Sequence, residues 1–305
     1  MAKMHFGVTL PQIKRSWEET RTAAQTVESL GFNSVWFNDH IYGIPMPQLP
    51  ILEAWTALPA VAAVTSRVQL GTLVSPVGFR NPALLAKSVG TLEEISGGRT
   101  IVGLGCGWYG DEFSGYGIDF PPVAQRLEQL DEAVQLMRLL WSEEQVTFAG
   151  KHFRTKDVFC APKPAQQPSI LLGGGGEKVF LRICAERADI WNNLAVNQEH
   201  LGRKIDVLNR HCDAVGRDPA QIQISQQTMV VIGRDADDAE AKVAKANRIF
   251  GGHLGKGISG TPEQCTEQIQ ALADLGCSML IIEFFGRDVR EPAQLFAECV
   301  MPSFA

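Results

Sequence analysis

Residues 170–193 read Ile170-Leu171-Leu172-Gly173-Gly174-Gly175-Gly176-Glu177-Lys178, then a helix-like stretch, then Arg187-Ala188-Asp189-Ile190-Trp191-Asn192-Asn193. An apolar run too short for a helix stops at four glycines. An amphipathic stretch follows, and a second short apolar run closes the unit. That order is the signature of two parallel strands joined by a helix. Four bare backbone units add nothing to a core and are costly in any regular element. They do let backbone N–H groups approach an anion closely, at the start of the helix expected from Glu177. A phosphate is the natural occupant of such a place. The plainer alternative is a tight turn that needs positive φ, which one or two glycines would satisfy.

The same alternation extends in both directions. Strands are expected at His5–Leu10, Ser34–Phe37, Val68–Val74, Thr100–Gly105, Ile170–Leu172, Asp189–Asn192, Ile222–Ile232 and Ser278–Phe284. Between them the pattern predicts helices over Ser16–Leu30, Ile51–Thr65, Pro82–Ile95, Ala124–Trp141, Glu177–Arg187, Glu199–Val215, Ala236–Ile249 and Pro262–Leu275, with a last one over Glu291–Val300. Ser16 with Glu18 and Glu19, Thr261-Pro262-Glu263 and Asp235 are start signals, and Gly31, Gly216 and Gly276 are stop signals. Eight βα units in 305 residues read as an α/β (β/α)8 TIM barrel forming a single domain over residues 1–305. A doubly wound open sheet is the alternative. Gln145–Ala161 reads as a β-hairpin excursion turning at Ala149-Gly150, before a proline-rich connector, and Gly251–Gly260 is a glycine-rich loop.

Composition narrows the partners. The chain is 45% hydrophobic and 20% charged, with a formal net charge of −6 and no Lys/Arg run. Nucleic acid and anionic membranes are therefore not expected to bind. No apolar stretch reaches the roughly 18 residues of a membrane span, and the first residues run into a strand without a signal-type apolar core. Seven cysteines without a C-x-x-C pair fit reduced thiols in a cytoplasmic protein better than a disulfide framework.

In such a barrel catalytic groups stand at the C-terminal strand ends, and the unusual residues of this chain cluster there. The second strand runs into Asn38-Asp39-His40, and a polar Thr72 and Ser75 break the third. The fourth ends in Gly105-Cys106-Gly107-Trp108-Tyr109 with Asp111 and Glu112 following, the fifth in the glycines, and the sixth in Trp191-Asn192-Asn193. The opposite ends, such as Ser66-Arg67 and Gly98-Arg99, are plain.

His40 is the candidate proton donor or acceptor, since an imidazole titrates near neutrality; a histidine merely capping a strand is the alternative. Asp39 could orient His40 or touch a ligand ring, or simply form a turn. Trp108 and Trp191 could stack on a flat heterocycle or pack as ordinary aromatics. Glu112 is the best acid of its loop. Lys178, Arg182 and Lys256 could add positive charge for a phosphate or be solvated. Several motifs are absent: the G-x-x-x-x-G-K-[ST] spacing fails at Gly173–Lys178, the third glycine of a dinucleotide fingerprint is misplaced at Gly103–Gly107, and no zinc or serine-hydrolase motif occurs.

Taken in order, Gly31-Phe32-Asn33-Ser34-Val35-Trp36 with Asp39-His40, Pro50–Trp55, Leu70–Val74, Arg80–Lys87, Ser96–Arg99, Gly103–Trp108, Gly150-Lys151, Gly173–Gly176 and Ala188–Trp191 resemble the luciferase-like monooxygenase superfamily. Within it they resemble the branch of coenzyme F420-dependent oxidoreductases. The resemblance implies a barrel holding a deazaflavin, or in other branches FMN, at its C-terminal mouth. It also implies a non-prolyl cis peptide after the third strand, by position Thr72-Leu73. The cofactor-contact set it implies here is Asp39, His40, Thr72, Leu73, Gly107, Trp108, Gly173, Gly174, Gly175, Gly176, Trp191 and Asn192, with His40, Asp39 and Glu112 as the catalytic candidates and no metal. Some deazaflavin dehydrogenases carry Glu where this chain has Trp108, so that acid role does not transfer to the position. The activity implied is hydride transfer between F420 and a small organic substrate, in a homodimer. An FMN-dependent monooxygenase of the same fold, or a non-catalytic barrel binding a phosphorylated ligand, are the alternatives.

Overall fold

A computed structural model of the chain describes residues 3–44, 46–250 and 257–304. Eight parallel strands form a closed barrel: β1 (His5–Thr9), β2 (Ser34–Phe37), β3 (Gln69–Thr72), β4 (Thr100–Gly105), β5 (Ser169–Gly173), β6 (Ile190–Asn193), β7 (Gln223–Ile232) and β8 (Met279–Phe284). Each pairs with the next, and β8 returns to pair with β1. Closure excludes the open doubly wound sheet. It also removes exposed sheet edges, which is what lets these apolar strands stand without an edge cover.

Strand alternation divides the core in two. Trp36, Leu73, Ile101, Leu171, Ile190, Met279 and Ile281 fill the barrel interior. Their neighbours, such as Val35, Leu70, Val102, Leu172, Trp191 and Ile282, face the surrounding helices in one large outer cluster. A residue two places beyond an interior residue therefore points into the barrel as well. Glycines make room inside: a Cβ on Gly7 or Gly71 would overlap the Trp36 indole.

The local signals explain the helix boundaries. Ser16 caps Trp17–Ser29 with a reciprocal Glu19 contact, and Thr261 does the same with Gln264 for Pro262–Asp274. Asn81 caps Pro82–Ser96, which begins at proline. Gly216 follows the helix Leu201–Val215 at φ 69°, a conformation that suits glycine. The helix expected over Ile51–Thr65 covers only Ala54–Ala62, because Glu53 turns back to accept from the Trp55 and Thr56 N–H groups. The expected hairpin is present as antiparallel strands Gln145–Ala149 and Arg154–Phe159, after the long helix Val123–Ser142.

Two expectations are corrected. The helix after the glycines spans Phe180–Arg187, not Glu177–Arg187, so three turn residues separate it from Gly176. The non-prolyl cis peptide is Leu73–Val74, not Thr72–Leu73. The reason is the ladder: Phe37 pairs with Thr72, and the Leu73 N–H still donates to Phe37 O at 2.7 Å. The chain leaves β3 only after Leu73, and it then forms the short strand Ser75–Pro76 against β4.

Candidate active site at the barrel mouth

Beyond β3 the chain bulges into the barrel around Val74, and glycines on the neighbouring strands admit it. A Cβ on Gly105 would stand 2.6 Å from Val74 Cγ2, and one on Gly173 would stand 2.8 Å from Val74 Cγ1. Gly103 faces the Thr72 carbonyl so closely that no Cβ fits. Thr72 is buried and donates through Oγ1 to Gly103 O at 2.9 Å. Gly173 is thus a glycine because Val74 needs its space.

Gly174 and Gly175 form a crowded shelf, and Gly176 is its exposed edge, where a Cβ would stand 3.4 Å from Phe180 Cβ. None of the four has positive φ, which removes the plain turn explanation. A Cβ on Gly174 would meet the Phe180 ring at 2.8 Å, and one on Gly175 would meet Asn197 Nδ2 at 2.6 Å and Lys204 Nζ at 3.4 Å. Gly174 N–H donates to Asn192 O, whereas the N–H groups of Gly175 and Gly176 have no protein acceptor among the described residues. The buried Lys204 donates to Gly175 O at 2.6 Å and lies 3.3 Å from Glu177. Lys178 is exposed, and Arg182 is exposed and spends its charge on Glu186 of its own helix. The cation beside the shelf is Lys204, from the later helix Leu201–Val215, whose register the sequence pattern alone does not reveal. Lys256 lies outside the described residues.

His40 is half-buried and follows β2 after Asn38 and Asp39. Its Nδ1 lies 2.9 Å from Glu112 Oε1 and 3.1 Å from Oε2. Glu112 is buried in the short helix Gly110–Gly115, and its Oε2 also accepts from Ile41 N–H at 3.1 Å. A carboxylate accepts only, so the proton of this contact sits on His40 Nδ1 and Nε2 is left free to act. Trp108 stands edge-on to the imidazole, with ring centres 5.8 Å apart, and stacks on Tyr109. It is 67% exposed, so the described residues leave much of this apolar side chain uncovered.

Asp39 does not orient His40. Ser75 Oγ donates to its Oδ2 at 2.6 Å, and Arg80 grips both oxygens at 2.6 and 3.1 Å. Burial pushes its carboxyl up, and Arg80 and Ser75 oppose that shift. Arg80 also bonds Glu53, while Trp55 Nε1 donates to Ser75 Oγ at 2.8 Å. This fully buried carboxylate braces the backbone under the bulge. Sequence reasoning quoted Glu53, Trp55 and Arg80 without assigning them this task, since contacts spanning 20 to 41 residues leave no local signal.

Trp191 is likewise corrected as a stacking surface. It is wholly buried in the outer cluster, and its indole donates to Gly174 O at 2.9 Å. Strand alternation turns it away from the barrel, where it supports the glycine shelf from behind. Asn192, one residue on, does point inward: Oδ1 accepts from Ser225 Oγ at 3.0 Å, and the buried Nδ2 has no partner. Gly107 adopts φ 75°, and a Cβ there would stand 2.8 Å from the Phe113 ring. Arg126 clamps its carbonyl and that of Cys106, 2.9 Å away, fixing the loop that presents Trp108.

A closed parallel barrel with an imidazole–carboxylate pair, an exposed indole and a glycine shelf at its C-terminal mouth has the arrangement of a barrel enzyme. The description of the luciferase-like monooxygenase family matches residues 1–253, and the chain belongs to that family. A protein of Intrasporangium calvum named F420-dependent glucose-6-phosphate dehydrogenase is 29% identical over 306 residues, covering 90% of this chain and 91% of that protein. A protein of the same name from Kineococcus radiotolerans is 40% identical over 157 residues, covering 51% of this chain and 46% of that protein; that match spans less than half of its length. Among solved structures, an F420-dependent secondary alcohol dehydrogenase in complex with an F420-acetone adduct superposes with a TM-score of 0.86 at 23% identity, over 99% of both chains. A monooxygenase from Streptomyces bottropensis reaches 0.84 at 24%, over 99% of this chain and 100% of that one. At those identities the two structures speak for the fold alone.

Proposed function

We propose that the chain is a coenzyme F420-dependent oxidoreductase that moves a hydride between the deazaflavin and a small organic molecule. The observation that carries this reading is the His40–Glu112 pair beside the exposed Trp108, in a barrel with a relative along nearly the whole chain that carries an F420-dependent name. The residues fit a flat ring with a phosphate tail. Gly105 and Gly173 admit the Leu73–Val74 bulge as a backing surface, and Trp108 supplies an aromatic wall. Gly174 and Gly175 form a shelf that side chains would fill, Gly176 is its open edge, and Lys204 lies beside it as a cation. Gly107, Thr72, Asp39, Trp191 and Asn192 hold these surfaces in place.

A deazaflavin bound there would supply a two-electron hydride carrier that activates oxygen poorly, and the protein would supply orientation and proton handling. When an alcohol carbon gives up a hydride, its hydroxyl proton must also leave. His40 Nε2 takes that proton, and Glu112 at Nδ1 stabilises the imidazolium that forms. In the opposite direction the same nitrogen returns the proton to a carbonyl oxygen. Among the described residues no helix is long and apolar enough to cross a membrane. A cytoplasmic location belongs to the same proposal, supported by seven cysteines that are all unpaired, and so does a homodimer.

Incubation of the purified protein with equimolar F420 and FMN, followed by gel filtration, tests the reading. The protein peak should carry a single violet absorption band. A second, blue band marks FMN and an oxygenase instead, and a peak with neither band marks a barrel that binds some other ligand.

A further inference from the structure

Strand β8 alternates between two surroundings. Met279 and Ile281 belong to the interior cluster, whereas Leu280 and Ile282 belong to the outer core. The two-residue period therefore carries Glu283 into the barrel, at the mouth end of the strand and opposite Met229 of β7. Strand β1 behaves alike: Val8, paired with Ile282, faces the outer core, so Thr9 faces inward. Glu283 and Thr9 are consequently neighbours on adjacent strands, on one face, about 5 Å apart by the spacing of paired strands.

The other described residues satisfy neither. Thr9 is only 8% exposed, and its Oγ1 has no hydrogen-bond partner. Among the described residues Glu283 makes no hydrogen bond and no ion pair, and no lysine or arginine approaches it as a partner. Its side chain opens to solvent through the mouth, yet protein surrounds it closely enough that burial pushes its carboxyl above the usual carboxylate range. Asn192 Nδ2, also inward, is a further buried donor without an acceptor. The buried Thr9 Oγ1 and Asn192 Nδ2 are costly unless a ligand completes them, whereas Glu283 meets water at the mouth.

We infer that Thr9 and Glu283 form the substrate-recognition subsite of the mouth, and that it takes a non-anionic substrate presenting a hydroxyl or ammonium group. Such a donor gives Glu283 the hydrogen bond it lacks and places a second polar atom beside Thr9 Oγ1. A phosphate or carboxylate in the same place meets a carboxylate that no cation among the described residues offsets, which is discrimination by repulsion. The inference rests on the proposed function, in that the molecule recognised here is the hydride partner. It separates this chain's substrate from the sugar phosphate that its relatives' names record.

Two matched sets test it on the F420-loaded protein: isopropanol, isopropanolamine and hydroxypropyl phosphate; glucose, glucosamine and glucose 6-phosphate. Reduction of F420 is followed by loss of its violet band. A neutral or amino member of at least one set should be turned over and its phosphate ester should not. Glu283→Gln should raise KM for the amino member about tenfold while kcat moves much less, the signature of lost ground-state binding. Glu283→Lys should admit the phosphate ester. F420 affinity and Tm, measured on each variant, should match the parent protein. Preference for the phosphate ester, an unchanged KM in Glu283→Gln, or no turnover of any member overturns the subsite. If F420 itself fails to bind, the cofactor reading has failed. The subsite is then read by calorimetric titration of isopropanolamine and glucosamine into the parent protein and Glu283→Gln, and equal or absent binding in both overturns it.

Discussion

His40 Nδ1 faces both carboxylate oxygens of Glu112, at 2.9 and 3.1 Å, across 72 residues of sequence. The contact turns an exposed-loop acid into the buried partner of the mouth imidazole. Under the proposed function Glu112 orients the ring, and His40 Nε2 is the group that would meet substrate. His40→Gln should lower kcat by roughly 10²–10⁴-fold, the usual size of general acid–base catalysis, with little change in F420 affinity. Glu112→Gln keeps the shape and loses the charge, so it should lower kcat by about 10-fold or more while Tm stays near that of the parent protein. If His40→Gln weakens F420 binding and preserves turnover at saturating cofactor, His40 is a ring contact and the proton passes elsewhere.

Asp39 and Arg80 test the bracing role. Removing one partner of a buried pair leaves an uncompensated charge, so Arg80→Ala should cost about 3–5 kcal/mol in urea unfolding. Asp39→Asn keeps one acceptor oxygen for Ser75 Oγ and Arg80 Nη1 but loses the bond from Arg80 Nη2; it should cost less than Arg80→Ala and retain measurable turnover. Were Asp39 the orienter of His40, Asn at this position would instead abolish turnover at unchanged stability.

The glycine shelf separates crowding from anion binding. Gly174→Val drives a branched side chain into Phe180 and should destabilise by about 1–3 kcal/mol whether or not a phosphate binds there. Gly176→Ala adds a methyl only 3.4 Å from Phe180 Cβ and should leave Tm nearly unchanged. If the shelf holds the cofactor phosphate, Gly176→Ala and Lys204→Gln should each weaken F420 binding in a fluorescence titration. Unchanged affinity in both places the phosphate elsewhere.

His5, at the start of β1, supplies a pH dependence. Burial lowers its pKa to about 4, and Ser34 Oγ lies 3.0 Å from Nε2. The unfolded histidine titrates near 6.5, so between these values the unfolded chain binds more protons than the folded one. The neutral His5 therefore costs nothing above about pH 6.5, and folding stability falls as the pH drops towards 4. At pH 4.5 the loss from this residue should be about 2–3 kcal/mol. Urea unfolding of the parent protein and His5→Gln at pH 7 and 4.5 should show a shallower pH dependence in the variant. Parallel curves would remove His5 as the cause.

The barrel was legible because its signals are local. Ser34–Phe37 and Thr100–Gly105 were bounded to the residue by turn signals and apolar runs, and glycine, proline and cap residues placed most helices. The site was legible only as a set of strand ends. Which tryptophan faces the mouth depends on strand parity: Trp191 is outward and buried, whereas Trp108 lies in a loop and is exposed. Which acid serves His40 depends on how a loop 72 residues away folds over it. Glu283 had a usable signal, the one charge in the apolar run Met279–Phe284, but only the interior position of Ile281 shows that it points inward.

The central claim is that this mouth binds a deazaflavin in preference to a flavin. Quenching of intrinsic tryptophan fluorescence, titrated separately with F420 and with FMN on the purified protein, tests it most directly, because Trp108 lies at the proposed ring wall. F420 should give a saturable curve with a Kd at least about tenfold, or 1.4 kcal/mol, below that for FMN, and Trp108→Leu should remove much of the quench. Equal or tighter binding of FMN, or no saturable response to F420, would contradict the account.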